Sequence, residues 1–198
     1  MMAIVITGGI GSGKTAVTDY LSSKGYPVID TDVMAHEMTS PGGKAITYIR
    51  NVFGDDYISA DGSMDREKVR SLVLKYPDKK RLLERGTTEV IIKDTKALIK
   101  KYRLEMHDAV FVAIPLFYEN GGNDDGTYDQ VWLVTADIKT RLERIRKRDN
   151  LPLNIINKFI SKQLSDAEKS KKADVIIDNS GTLEDLHKQI DKLLQERL

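Results

Sequence analysis

The sequence has 198 residues, with 31 Lys plus Arg against 30 Asp plus Glu and no cysteine. That length suits one α/β domain with a smaller inserted lobe, and a net charge of +1 gives no overall pull toward nucleic acid or membranes, so any anion site must be local. The absence of cysteine excludes a disulfide framework, a thiolate zinc site and a cysteine nucleophile, and it fits a reducing, cytoplasmic setting.

Ala3-Ile4-Val5-Ile6-Thr7 reads as a buried strand that begins almost at Met1 and runs directly into a Gly-rich loop, which predicts no cleaved leader. The segment from Lys14 to Lys24 carries Val17, Tyr20 and Leu21 at helical spacing and reads as the following helix, ended by Gly25. Pro27 to Asp30 is a short second strand with Asp30, Thr31 and Asp32 at its carboxyl end. From Val33 to Tyr102 the pattern is helical, interrupted by Pro41-Gly42-Gly43, Asp61-Gly62-Ser63 and Pro77. Ala109 to Ile114 and Gln130 to Thr135 are further strands, joined through the polar stretch from Asn120 to Gly126, and Val175-Ile176-Ile177 is the fifth. The nearly apolar run from Ala109 to Tyr118 is about half the length of a membrane-crossing helix and contains Pro115, so a buried strand explains it better. A last helix from Thr182 places Leu183, Leu186, Ile190 and Leu193 on one stripe, expected to pack on the sheet.

Gly8-Gly9-Ile10-Gly11-Ser12-Gly13-Lys14-Thr15 satisfies the pattern of a Gly, four residues and Gly-Lys-Ser/Thr. Glycines let successive N–H groups turn inward and a phosphate approach without meeting a Cβ atom. The helix that starts beside Gly13 adds its positive end, Lys14 a point charge toward the β and γ phosphates, and Thr15 a hydroxyl for Mg²⁺. A fortuitous Gly-rich turn would lack the preceding strand and following helix, both of which are present. The expected nucleotide contacts are Gly8, Gly9, Gly11, Ser12, Gly13, Lys14, Thr15 and Ala16. The fold expected is α/β: a three-layer P-loop NTPase fold with a five-stranded parallel sheet, a helical insertion over about 33–104 and a helical lid over about 139–172.

Asp32, just past the second strand, could accept or orient the proton of an attacking hydroxyl, or merely cap the helix that starts at Val33. Asp30 is a weaker rival. Arg141, Arg144 and Arg148 share one helical face and could reach phosphate oxygens, with Arg148 the first choice. Glu143 and Asp149 allow an ordinary salt-bridged surface instead. His36, His107 and His187 show no metal-ligand spacing, and Gly121 to Gly126 lacks the ligand spacing of a calcium loop and reads as a flexible turn.

Taken together, these residues resemble the dephospho-coenzyme A kinase family. The similarity rests on Thr7 to Lys14, on Asp30-Thr31-Asp32 with Ala35, and on Pro41-Gly42, Phe53-Gly54, Asp61-Gly62 and Arg66. It continues through Pro115-Leu116-Phe117-Tyr118-Glu119, Arg141-Leu142, Arg148-Asp149, Gln163, and Ala173-Asp174 through Asn179. The resemblance implies ATP with Mg²⁺, dephospho-CoA as acceptor, and phosphorylation of its ribose 3′-hydroxyl. It implies that Asp32 engages that hydroxyl, that Asn179 to Gly181 lie near the adenine, and that the helical insertion holds the pantetheine-bearing substrate. With the readings above, the expected catalytic residues are Lys14, Asp32 and Arg148, and Arg141 and Asn179 are expected nucleotide contacts. No nucleic-acid or membrane partner is implied, and a monomer or weak homo-oligomer is expected. The chain departs from the family pattern at His36, where Arg is usual, and at Thr88-Glu89, where His-Pro is usual.

Two other readings share parts of this pattern. Another small-molecule or nucleoside monophosphate kinase would have the same loop, insertion and Arg-bearing lid. A regulatory GTPase or silent nucleotide-binding module would need a guanine-reading Asn-Lys-x-Asp, whereas Asn157-Lys158-Phe159-Ile160 ends in Ile, and Asp178 to Gly181 lies too late for the usual switch.

Overall fold

Strict alternation along the strands gives the sheet its two covered faces. In a computed structural model, which describes residues 1–122 and 125–198, five parallel strands lie in the order β2-β3-β1-β4-β5. They are β1 (Met2–Gly8), β2 (Val28–Asp30), β3 (Ala109–Ala113), β4 (Gln130–Thr135) and β5 (Val175–Asp178). Ile4 and Ile6 join Phe111, Trp132, Val134 and Ile177 on one face, where Val17 and Leu21 of α1 (Lys14–Ser23) and Leu186 and Ile190 of the C-terminal helix cover them. Val5 points to the other face, against Phe117 and Val131. Parallel strands covered on both sides read as continuous apolar runs, which is why these segments are legible in the sequence.

The chain divides into two compact units, residues 1–29 with 99–198 and residues 30–98. In the first, the sheet unit, β1 is the central strand: chain order runs from it to one edge and back through β3, then crosses to β4 on the other side. The carboxyl end of β1 is therefore a topological switch point, the place where α/β sheets take ligands. Parallel register puts Gly8 level with Val134, so the Gly-rich loop leaves the sheet there. The helices α7 (Ile138–Asp149), α8 (Leu153–Ser161) and α9 (Asp166–Ser170) follow β4, and α10 (Leu183–Arg197) ends the chain. Thr182 caps α10 in a reciprocal box with Asp185, which places Leu183 at the first helical position. Leu183 is consequently 61% exposed, so the expected apolar stripe is Leu186, Ile190 and Leu193 without it. Of the turn expected over Gly121 to Gly126, Asn123 and Asp124 lie outside the described residues.

The second, helical unit contains α2 (Thr31–Met38), α3 (Ile46–Phe53), a short 3-10 turn at Asp55–Tyr57, α4 (Arg66–Lys75), α5 (Pro77–Gly86) and the start of α6 (Thr88–Leu104). Met38, Ala45 and Ile49 form its buried centre, with Tyr48, Phe53 and Leu83 packed around them. Pro77 opens α5, where a missing N–H costs nothing. Gly86 lets the Tyr48 ring lie against the α5 backbone, and the Tyr48 hydroxyl donates to the Leu82 carbonyl at 2.7 Å. The Asp61-Gly62-Ser63 turn closes on itself through Asp61, which accepts from the Ser63 amide at 2.9 Å, and it sits inside an isolated bridge from Ile58 to Met64. Among the described residues no helix is long and apolar enough to cross a membrane.

Candidate active site

The loop between β1 and α1 is shaped by residues with positive φ and by side chains from far along the sequence. Gly11 has φ 77° and Gly13 φ 89°, values that an L side chain adopts only with strain. Alternation of left-handed with ordinary residues makes successive amides converge into an anion-binding concavity. Within the loop the Ser12 amide donates to the Gly9 carbonyl at 3.1 Å, and Ala16 in the first turn of α1 donates to Gly13 at 3.0 Å. Lys14 Nζ donates to the Gly8 carbonyl at 3.0 Å, so the ammonium folds back over its own loop. The Ser12 hydroxyl is buried and meets no partner among the described residues. Thr15 is exposed at the start of α1, and its carbonyl accepts from the Thr18 hydroxyl at 3.0 Å.

Glycine also leaves room on the outside of the loop. A Cβ at Gly9 would press on the Arg141 guanidinium, one at Gly11 would meet the Arg141 carbonyl and Ile145 at 2.9 Å, and one at Gly13 would strike the Asn179 amide. The sequence pattern suggests that the missing side chains make space for phosphate; the structure shows that they also make space for α7 and Asn179. Arg141 is 6% exposed, donates from Nε to the Ile10 carbonyl at 2.9 Å and pairs with Asp166 at 3.1 Å. Gln163 accepts from the Ile10 amide at 3.0 Å, so the Ile10 backbone is gripped at both its polar groups. Asn179 is 2% exposed and donates to the Ser12 carbonyl at 2.8 Å.

Of Arg141, Arg144 and Arg148, the α7 arginines that share a face, the structure brings the first two to the loop. Arg144 reaches the Ser12 carbonyl at 3.4 Å and the Asn179 side chain at 3.5 Å. Arg148, the first choice from spacing, instead makes two bonds of 2.7 Å to its neighbour Asp149 with its side chain 65% exposed. That forked pair raises the Arg148 pKa and lowers that of Asp149.

A buried ion pair supports the Gln163 grip. Glu119, just after β3, accepts from Lys169 Nζ at 2.8 Å and from the Leu164 amide at 3.1 Å, one residue beyond Gln163. The side chains are 2% exposed for Lys169 and 15% for Glu119. Burial alone would raise the Glu119 pKa, but the Lys169 hydrogen bond with backbone donors outweighs it, and the carboxyl sits below its ordinary value. Its second oxygen has no partner among the described residues. Glu119 closes a segment that carries the family resemblance, but nothing in the sequence joins it to Lys169, 50 positions away, which looks like an ordinary surface charge. The box joining Ser165 and Glu168 is the one local signal, since it fixes the start of α9 and makes 162–165 a turn.

Asp32 belongs to the helical unit, and the capping alternative for it falls to its neighbour. The helix starts at Thr31 rather than Val33, and the Asp30 carboxylate accepts from the Asp32 and Val33 amides at 2.9 and 3.2 Å. Asp30 is thus the cap, and Asp32 stands exposed in the first turn, where a negative charge suits the helix dipole. In the same unit Arg66 donates to the Thr39 hydroxyl at 2.8 Å and meets His36 Nδ1 at 3.2 Å. A neutral imidazole with its proton on Nε2 can accept that bond; an arginine at position 36 could not.

A Gly-Lys-Thr loop at the switch point of a parallel sheet defines a P-loop kinase in class. The model of the family described as dephospho-CoA kinase matches residues 2–185. A dephospho-CoA kinase of Aromatoleum aromaticum is 40% identical over 188 residues, 95% of this chain and 90% of the relative. Among solved structures, TT1252 of Thermus thermophilus superposes with a TM-score of 0.76 at 28% identity, covering 100% of this chain and 98% of that one. Dephospho-CoA kinase from Campylobacter jejuni gives a TM-score of 0.65 at 27% identity, covering 98% and 96%. The chain belongs to the dephospho-CoA kinase family, which carries out the last step of coenzyme A biosynthesis, with ATP as the kinase substrate.

Proposed function

We propose that Gly8 to Thr15 holds the phosphates of ATP while the γ-phosphoryl group passes to the ribose 3′-hydroxyl of dephospho-CoA, giving CoA and ADP. The observation that carries this reading is the Gly-Lys-Thr loop at the carboxyl end of β1, in a chain matched by the family over residues 2–185. A bond forms between the 3′-oxygen and the γ-phosphorus, the bond from that phosphorus to the β–γ bridging oxygen breaks, and the hydroxyl proton is released. Lys14 offsets charge on the β and γ phosphates, and Asp32 orients the hydroxyl and takes its proton. A loose transition state asks mainly for this positioning. Arg141 and Asn179 serve the nucleotide side, and Arg148 would have to exchange Asp149 for a phosphate oxygen to take part.

Mg²⁺ fits the donor set near the loop. The Thr15 hydroxyl is a hard oxygen ligand, and among the described residues no group of three or more His, Cys, Asp or Glu could hold a metal alone. This is the arrangement Mg²⁺ favours, in which one or two protein oxygens are completed by phosphates and water. Bound there, it would neutralise charge between the β and γ phosphates. The helical unit, 30–98, is the proposed acceptor lobe, with the lid over about 139–172.

The reading is tested by ADP release with dephospho-CoA, AMP, CMP and shikimate as acceptors. Dependence on dephospho-CoA alone is expected, and turnover with one of the others instead would assign a different kinase. In the same assay Asp32→Asn should slow transfer by about tenfold or more while ATP affinity holds, and an unchanged rate would remove Asp32 from the mechanism.

A further inference from the structure

Two peptide units of the Gly-rich loop are held from outside by distant side chains. The Ile10 carbonyl accepts from Arg141 Nε at 2.9 Å, and the Ser12 carbonyl accepts from Asn179 Nδ2 at 2.8 Å. Among the described residues no peptide bond is cis, and in a planar trans unit the C=O and the next residue's N–H point in opposite directions. Fixing the Ile10 carbonyl therefore fixes the Gly11 N–H, and fixing the Ser12 carbonyl fixes the Gly13 N–H, each aimed away from the side chain that holds it. Among the described residues neither glycine amide meets an acceptor in the protein. These are also the loop's two positive-φ positions, where glycine leaves the backbone freest to turn over and present a carbonyl to an anion.

The holders are themselves fixed. Asp166 pairs with the Arg141 guanidinium at 3.1 Å, and Arg144 approaches the Asn179 carbonyl oxygen at 3.5 Å. The Ser180 hydroxyl, next to Asn179, accepts from the Asp137 amide at 2.8 Å and so ties the start of α7 to the end of β5. Both holders are more than nine-tenths buried, which suits a support better than a group that closes over a ligand.

We infer that Arg141 and Asn179 are positioning residues for the polyphosphate of the nucleotide. They act through the loop backbone, locking the Gly11 and Gly13 N–H groups as a preset pair of donors to phosphate oxygens. The inference rests on the nucleotide reading of the loop, and it gives Asn179 a different task from the adenine contact implied by the family resemblance.

The test is equilibrium binding of ATP, adenosine and inorganic tripolyphosphate to the full chain and to Asn179→Leu, a change close in size that adds no charge. ATP and tripolyphosphate should both weaken by about tenfold, the loss of one aligned donor to a charged group, with adenosine unchanged and the Gly13 amide resonance displaced. Weaker ATP and adenosine with unaltered tripolyphosphate would place Asn179 on the base and overturn the inference, as would no change in any ligand. If Asn179→Leu fails to fold, Arg141→Lys tests the same split at Gly11, because it keeps a cation facing Asp166 but lacks the Nε donor. Lys14→Ala separates the two levels: if it leaves tripolyphosphate affinity intact, the loop reading fails and this inference with it, whereas a normal Lys14→Ala loss beside an inert Asn179→Leu defeats the inference alone.

Discussion

In the sheet unit several of the polar side chains that hold the Gly-rich loop and its surroundings are buried, whereas the helical unit carries its charges on the surface. Arg141, Lys169 and Asn179 are all nearly inaccessible, and each is tied to a partner from another element. In the helical unit Lys44 and Asp94 pair at 2.8 Å with side chains 73% and 32% exposed, and Arg50 and Asp55 form a similar contact. The difference suits a loop that takes a nucleotide. A phosphate receptor gains from donors fixed before the ligand arrives, because nothing need reorganise when charge develops. Exposed surface pairs, by contrast, bring little rigidity.

Substitutions on the two sides should therefore differ in size as well as in kind. The largest effect is expected at Lys14: Lys14→Ala should cut turnover by about a thousandfold with the fold intact, read by ADP release beside circular dichroism. A smaller loss, visible in stability, is expected at Lys169. Lys169→Met strands the Glu119 carboxylate in a buried place and should cost about 3 kcal/mol in urea unfolding at neutral pH. Its pH dependence has a definite sign. Because Glu119 has a lowered pKa when folded, the pair's contribution is present above the ordinary value of 4.5 and is lost as pH falls through the lowered one. The gap between the native chain and Lys169→Met should accordingly shrink in acid, and a gap that widened would contradict the pairing. The smallest effect is expected for Lys44→Ala in the helical unit, about 0.5 kcal/mol or less and erased by salt. A loss there as large as at Lys169 would abolish the contrast between the units.

The strands and the loop were legible because their signals are local. Buried parallel strands are short apolar runs, and Gly11, Gly13, Lys14 and Thr15 carry their conformational and chemical demands in their own identities. Helix boundaries shifted where capping chemistry decided between neighbours: Asp30 took the cap considered for Asp32, and Thr182 pushed Leu183 into solvent. The α7 arginines were harder, since a shared helical face cannot say which residue turns inward. Arg148 found a closer carboxylate in Asp149, and Arg144 reached the loop.

By itself the sequence determined that a nucleotide-type loop follows the first strand of a parallel α/β sheet, and the resemblance along its length named the kinase family that the comparisons bear out. Only the tertiary structure decided how the loop is held. The contacts of Arg141 with Ile10, Gln163 with Ile10, Asn179 with Ser12 and Lys169 with Glu119 join positions 131, 153, 167 and 50 residues apart. No propensity or period links residues so distant; the parallel sheet brings them to one edge by placing the ends of β1, β3, β4 and β5 side by side.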